Sequence, residues 1–166
     1  MIKLIFTDID GVWTDGSMYY DNFGNEFKRF NTYDAMGVKM CHFFNIPVVI
    51  ITGEKTQIVK NRACKLNIDD CFQGISDKFS FAKSFLKKKE IDFSEVGYIG
   101  DDFNDYLLLK SVKISACPEN SHDSIKKIVT HNLNATGGSG CFREFVEKCV
   151  LTPEQVNRFY EKTFLG

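Results

Sequence analysis

Leu4-Ile5-Phe6-Thr7-Asp8-Ile9-Asp10-Gly11-Val12-Trp13-Thr14-Asp15-Gly16 is the stretch whose reading decides the fold. It begins as an apolar, β-branched run of the kind that forms a buried strand, and it stops at two carboxylates followed by glycine. Side chains alternate along a strand, so Asp8 and Asp10 point to the same side where the chain leaves the sheet. Open parallel α/β sheets bind ligands at that edge, outside the carboxyl ends of their strands.

The rest of the chain repeats the pattern. Ile46 to Ile51 is a second apolar strand and ends at Thr52-Gly53-Glu54. Cys71-Phe72 is a short third strand, after which Asp77-Lys78 opens a helix. Val96 to Ile99 runs into Gly100-Asp101-Asp102-Phe103-Asn104-Asp105, and Val112 to Ala116 makes a last strand. Helical patterns lie between them: one from an Asp34 cap to about Phe44 with Met36, Met40, Phe43 and Phe44 on its apolar side, then Lys55 to Leu66, Asp77 to Leu86, Ser121 to Val129, Phe142 to Val150, and a final helix opened by Thr152-Pro153. Strand and helix alternate at least four times, which predicts an α/β fold with a Rossmann-like, doubly wound, mostly parallel sheet in one domain over residues 1–166. Between Val12 and Phe30 the chain makes an excursion, Ser17 to Tyr20 and Glu26 to Phe30 around Asp21 to Asn25, that reads as a β-hairpin. Trp13 is expected to pack against this hairpin.

With 166 residues, 26% of them charged, and a formal net charge of −1, the composition makes no electrostatic case for nucleic acid or an anionic membrane. The apolar runs are strand-length, so no membrane span is expected, and an N-terminus that enters a strand directly reads as cytoplasmic. Six scattered cysteines without a C-x-x-C pair read as reduced thiols, and three histidines share no metal-ligand spacing.

FTDIDGVWTDG, ITGE, DK and GDDFND resemble, in order, the four motifs of the haloacid dehalogenase superfamily. Gly74 to Lys78 and Gly137 to Phe145 further resemble its capless branch, the phosphatases of 2-keto-3-deoxy sugar acids; the likeness spans Lys3 to about Val150. It implies a phosphoric monoester hydrolase in which Asp8 is the nucleophile and Asp10 the acid/base. Mg²⁺ would be held by Asp8, the Asp10 carbonyl and Asp101, and phosphate by Thr52, Gly53 and Lys78. Asp102, Asn104 and Asp105 would support these groups or cap a helix. Neither inter-motif segment has room for a cap domain. The resemblance therefore implies a homotetramer in which a neighbouring subunit covers the site, and the aromatic hairpin of Met18, Tyr19, Tyr20, Phe27 and Phe30 suits such an interface.

Enzymes of this branch that act on the eight-carbon acid 8-phosphate (KDO 8-phosphate) usually carry Arg after Thr-Gly, where this chain has Glu54. Thr-Gly-Glu-Lys-Thr is similar instead to the nine-carbon branch, so KDN 9-phosphate, or N-acetylneuraminate 9-phosphate, is the expected substrate and KDO 8-phosphate the alternative. Arg62 and Lys65, three apart on one helix, and Arg143, beyond a glycine-rich loop that could move over the site, are the cations expected to meet the substrate. A reading of another class is a non-catalytic oligomerisation module like the one appended to cytidylyl-sialate synthetases; the intact acid set argues for catalysis.

Overall fold

The computed structural model describes residues 1–165; the expected span of 1–166 includes Gly166, which lies outside the described residues. The chain forms β1 (Leu4–Thr7), a hairpin of β2 (Tyr19–Tyr20) and β3 (Glu26–Phe27), α1 (Thr32–Phe43), β4 (Val48–Ile51), α2 (Gln57–Lys65), β5 (Cys71–Phe72), α3 (Lys78–Lys89), β6 (Val96–Ile99), α4 (Tyr106–Ser111), β7 (Ile114–Cys117), α5 (Asp123–Lys126), β8 (His131–Asn132), α6 (Cys141–Phe145) and α7 (Pro153–Tyr160). The sheet order is β5-β4-β1-β6-β7-β8, and every neighbouring pair is parallel. β1 is central, so the strand that carries Asp8 is buried on both faces. Ile5 packs with Ile50, Val38 and Phe145 on one side, while Leu4 and Phe6 pack with Val49, Ile51 and Tyr98 on the other. This is why the strand reads as a continuous apolar run without alternation.

Local chemistry explains the element boundaries. Asn31, not Asp34, caps α1 by accepting from the Tyr33 N–H, which leaves Asp34 buried in the first turn. Thr56 caps α2, Asp77 caps α3, and Thr152 with Gln155 forms a capping box ahead of Pro153 on α7. The inward face of α1 is Gly37, Val38, Met40 and Cys41, while Phe43 is 38% exposed. Met36 and Phe44 pack against the same core, so the expected face holds except at Phe43; α6 crosses α1 at Gly37, where a Cβ would stand 3.0 Å from the Arg143 Cα. The helix begun by α6 continues as a wider, π-type turn over Val146–Val150. α7 inserts Phe159, fully buried, against Phe43 with ring centroids 5.4 Å apart; burial of such a side chain is worth about 1.5–3 kcal/mol.

Four other expectations change. β8 is an additional parallel strand beside β7, too short and polar to be read from its sequence. α5 is shorter than the helix expected over Ser121 to Val129. Trp13 does not pack on the hairpin: it is fully buried, donates to Thr7 Oγ1 at 2.8 Å and lies against Phe142 at 4.9 Å. Phe30 turns inward beneath the Arg62 guanidinium, 5.5 Å from its ring centre, so it is no part of the exposed hairpin face. No helix among the described residues is long and apolar enough to cross a membrane.

Candidate active site

A cleft of about 270 Å³ opens at the C-terminal edge of the sheet, lined by Asp8, Asp10, Gly11, Gly16, Met18, Thr52, Gly53, Glu54, Asp101, Asp102 and Asn104. Three strand ends supply it: β1 brings Asp8 and Asp10, β4 brings Thr52, Gly53 and Glu54, and β6 brings Asp101. A fourth group reaches it from below. Lys78, at the first position of α3, extends under the cleft with its side chain fully buried, its Nζ 2.8 Å from Asp8 Oδ2 and 2.6 Å from Asp105 Oδ1.

Asp105 shapes this floor. Its Oδ1 also accepts from the Tyr98 hydroxyl, and its Oδ2 accepts from the N–H groups of Asp101 (2.9 Å) and Asp102 (3.2 Å). Four donors thus anchor one carboxylate, and that carboxylate shapes the turn that presents Asp101. Asp102 is exposed and caps the short turn Phe103–Asp105 by accepting from the Phe103 N–H; Asn104 is an exposed rim residue.

The electrostatics are unbalanced. Asp8, Asp101 and Asp105 hold carboxylate oxygens within 4.8 Å of one another, and Lys78 is the ammonium among them. Burial first, then the Asp105 charge, raise the Asp8 carboxyl to about 7 against the opposing pull of Lys78. Burial together with the Asp8 and Asp105 charges raises Asp101 to about 8. Asp8 Oδ1 and Asp101 Oδ1 are buried and have no hydrogen-bond partner in the protein. Two orphaned hard oxygens in a field of excess negative charge fit a divalent cation of the Mg²⁺ type. Asp105 belongs to the same cluster, but its oxygens are already committed to donors, so it supports the cation site from beneath.

Gly11 is required by this packing. Its φ is +87°, and a Cβ there would fall 2.0 Å from Asp101 Oδ2. The glycine-rich segment behaves differently from the expected mobile flap. Gly137 and Gly138 are buried, the Gly137 N–H donates to Asn120 Oδ1 (2.8 Å), and the Gly138 N–H donates to the Val12 carbonyl (2.9 Å). This loop buttresses the Asp10–Asp15 turn from behind.

Of the expected substrate-binding residues, Glu54 alone lines the cleft, exposed on its rim. Arg62 donates to the Asn31 carbonyl at 3.0 Å and ties α2 to the start of α1. Lys65 is exposed on α2, outside the cleft. Arg143 is held by Glu147 (2.8 Å) and the Tyr160 hydroxyl (2.7 Å), which joins α6 to α7. All three cations therefore stand away from the cleft of their own protomer, because helix spacing reports a shared face and not which body that face meets. Three site neighbours escaped sequence reading: Met18 on the rim, Tyr98 under Asp105, and Lys28, whose Nζ is 2.6 Å from Asp10 Oδ1. The alternation of polar Glu26 and Lys28 around outward Phe27 was the available signal for the last.

Residues 70–140 match the family model of haloacid dehalogenase-like hydrolases. The 3-deoxy-D-manno-octulosonate 8-phosphate phosphatase of Salmonella typhi is 34% identical over 150 residues, covering 90% of this chain and 80% of its own. The crystal structure of the phosphatase of that name from Moraxella catarrhalis, in complex with magnesium, phosphate and KDO, superposes with a TM-score of 0.93 at 30% identity, covering 97% of this chain and 92% of that one. The cobalt-bound enzyme from Haemophilus influenzae gives a TM-score of 0.83 at 32% identity, over 87% and 85% of the two chains. By this identity and coverage, the chain belongs to the 3-deoxy-D-manno-octulosonate 8-phosphate phosphatase family of haloacid dehalogenase-like hydrolases and is a phosphoric monoester hydrolase.

Proposed function

We propose that this chain hydrolyses the terminal phosphate of a 2-keto-3-deoxy sugar acid through an aspartyl-phosphate, with KDO 8-phosphate as its substrate. The observation that carries the reading is the meeting of Asp8, Asp10, Thr52, Lys78 and Asp101 in one cleft. Lys78 fixes Asp8 Oδ2 and leaves Oδ1 without a protein partner, so one carboxylate oxygen is oriented and the other is free to meet phosphorus or a cation. Asp8 attacks in line as the bond from phosphorus to the sugar oxygen breaks, and the Asp10 carboxyl gives its proton to that oxygen. Asp10, now a carboxylate, takes a proton from water; the water oxygen attacks phosphorus, the bond to Asp8 breaks, and phosphate leaves with Asp10 protonated again. Thr52 and the Gly53 amide donate to the phosphoryl oxygens, and Lys78 offsets their charge.

Asp8, the Asp10 carbonyl and Asp101 would hold Mg²⁺. When bound, it screens the repulsion between the Asp8 carboxylate and the phosphate dianion and polarises the phosphoryl oxygens. The relatives bound to magnesium and cobalt support this.

The eight-carbon substrate rests on the relatives named above, each an octulosonate 8-phosphate phosphatase. They weigh more than Glu54, whose side chain is exposed at the rim and can meet sugar hydroxyls of either acid. kcat/KM for KDO 8-phosphate, KDN 9-phosphate and N-acetylneuraminate 9-phosphate, with Mg²⁺ and with EDTA, tests this. A tenfold preference for a nine-carbon acid, about 1.4 kcal/mol in the transition state, would reinstate the substrate expected from Glu54. Undiminished phosphate release by Asp8→Asn would remove the nucleophile assignment.

A homotetramer is part of the proposal. Met18, Tyr20, Phe23 and Phe27 are 50%, 64%, 92% and 57% exposed on the hairpin beside an open cleft, a patch that a monomer seldom leaves to water. Lys65, and Arg62 once freed from Asn31, would meet substrate only across such an interface. A monomer by light scattering with full activity would refute it. Six unpaired thiols accord with a reducing, cytoplasmic setting.

A further inference from the structure

Lys28 lies just beyond β3 with a side chain only 1% exposed, its Nζ 2.6 Å from Asp10 Oδ1 and 3.2 Å from Glu26 Oε1. A lysine drawn inward from a solvent-exposed hairpin toward Asp10, with Glu26 of its own hairpin as the longer contact, sacrifices hydration and side-chain freedom, so the contact must constrain something. What it constrains is Asp10. Thr14 Oγ1 also donates to Asp10 Oδ1, at 3.4 Å, and Oδ2 of the same carboxyl is buried without a partner. One oxygen is therefore held, and the other is left without a protein partner in a residue that lines the cleft.

We propose that Lys28 is a positioning residue for the proton transfer at Asp10, fixing the carboxyl so that Oδ2 faces the sugar oxygen that leaves phosphorus. This rests on the acid/base assignment of Asp10 made above. The proton on Oδ2 passes to the leaving oxygen as its bond to phosphorus breaks, and the carboxylate so formed stays held at Oδ1 by the ammonium. The hairpin thus has a second role besides its exposed aromatic face: it supplies the cation that orients the acid/base.

The test compares substrates that differ in their need for a proton. A sugar alkoxide is a poor leaving group and must be protonated, whereas 4-nitrophenolate leaves without help. Using the full-length protein with Mg²⁺, Lys28→Met should lower kcat/KM for KDO 8-phosphate by about 10² and that for 4-nitrophenyl phosphate by less than about fivefold, since positioned general acids contribute about 10²–10⁴. Lys28→Arg, which keeps a donor in reach, should recover most of the loss. In an Asp10→Asn background Lys28→Met should add little, because the two act as one unit. Equal losses on both substrates would mean that Lys28 merely holds the hairpin, and no loss on either would mean that it does nothing for Asp10; each overturns the proposal. If Lys28→Met does not fold, Lys28→Gln and Lys28→Arg carry the same comparison. Asp10→Asn separates the two readings: if it shows no selectivity between the substrates, the acid/base assignment has failed, and if it alone shows selectivity, only the role of Lys28 has.

Discussion

Replacing Lys78 with methionine removes a cation bonded to two buried carboxylates while keeping a side chain of similar length. Nζ lies 2.8 Å from Asp8 Oδ2 and 2.6 Å from Asp105 Oδ1, with side-chain exposures of 0%, 6% and 0% for Lys78, Asp8 and Asp105. No water can take its place as counter-charge. Breaking a buried ion pair by removing one partner costs about 3–5 kcal/mol, because the remaining charge is left unpaired. In a chain of this size each kcal/mol moves Tm by about 2–4 °C, so Lys78→Met should melt about 6–20 °C lower in EDTA. Urea titrations of Lys78→Met, Asp105→Asn and the double variant would check it: the double should recover part of the loss, since the amide that replaces the Asp105 carboxylate is neutral, with a coupling of about 0.5–3 kcal/mol. Phosphatase activity should stay at least about 10² down in both variants that lack Lys78. A single-variant loss below about 1 kcal/mol, or strict additivity in the double, would mean that the ammonium does not bridge the two acids.

Mg²⁺ should raise Tm in wild-type protein, by an amount equivalent to about 2.7 kcal/mol at a hundredfold excess over Kd, and Asp101→Asn should abolish most of that rise in a thermal scan with and without EDTA. Asp34 gives a pH dependence independent of the active site: burial raises its carboxyl from 3.8 to about 7. The folded state therefore holds this proton more tightly than the unfolded chain, so the stability it contributes is full below about pH 4 and is lost as pH rises through 7. Asp34→Asn, which keeps an acceptor for the Arg143 N–H, should flatten that decline and be the more stable variant at pH 8 by urea denaturation; parallel slopes for the two proteins would reject it. Gly137→Ala would put a Cβ 2.0 Å from the Gly11 carbonyl oxygen, so the Asp10–Asp15 turn must shift. A cost of about 1–3 kcal/mol from overpacking and a lower kcat are expected, read by calorimetry and steady-state kinetics.

The site was legible in the sequence wherever chemistry and topology coincide. A buried parallel strand has to end at one edge of the sheet, so Asp8, Thr52 and Asp101 could be brought together from the order of their strands alone, and Lys78 from its place at a helix start. The helix capped by Thr152 and Pro153 was equally readable, because a cap is a contact between residues a few positions apart. Arg62, Lys65 and Arg143 could not be placed from the sequence for the complementary reason. Their charge and spacing are visible in one dimension, whereas the Asn31 carbonyl, Glu147 and Tyr160 that engage two of them are chosen by how helices pack.

By itself, then, the sequence determined that this is a doubly wound α/β chain with acids gathered at the ends of its strands, since apolar runs, glycine turns and acids at strand ends are local properties. Only the tertiary structure decided that Lys78 lies beneath Asp8 bonded also to Asp105, that the Gly137–Gly140 segment is a buttress, and that Lys28 turns in from the hairpin to Asp10. The physical reason is that each is a contact across many residues of chain: which oxygen is left without a partner depends on the packed surroundings and not on the neighbours in sequence.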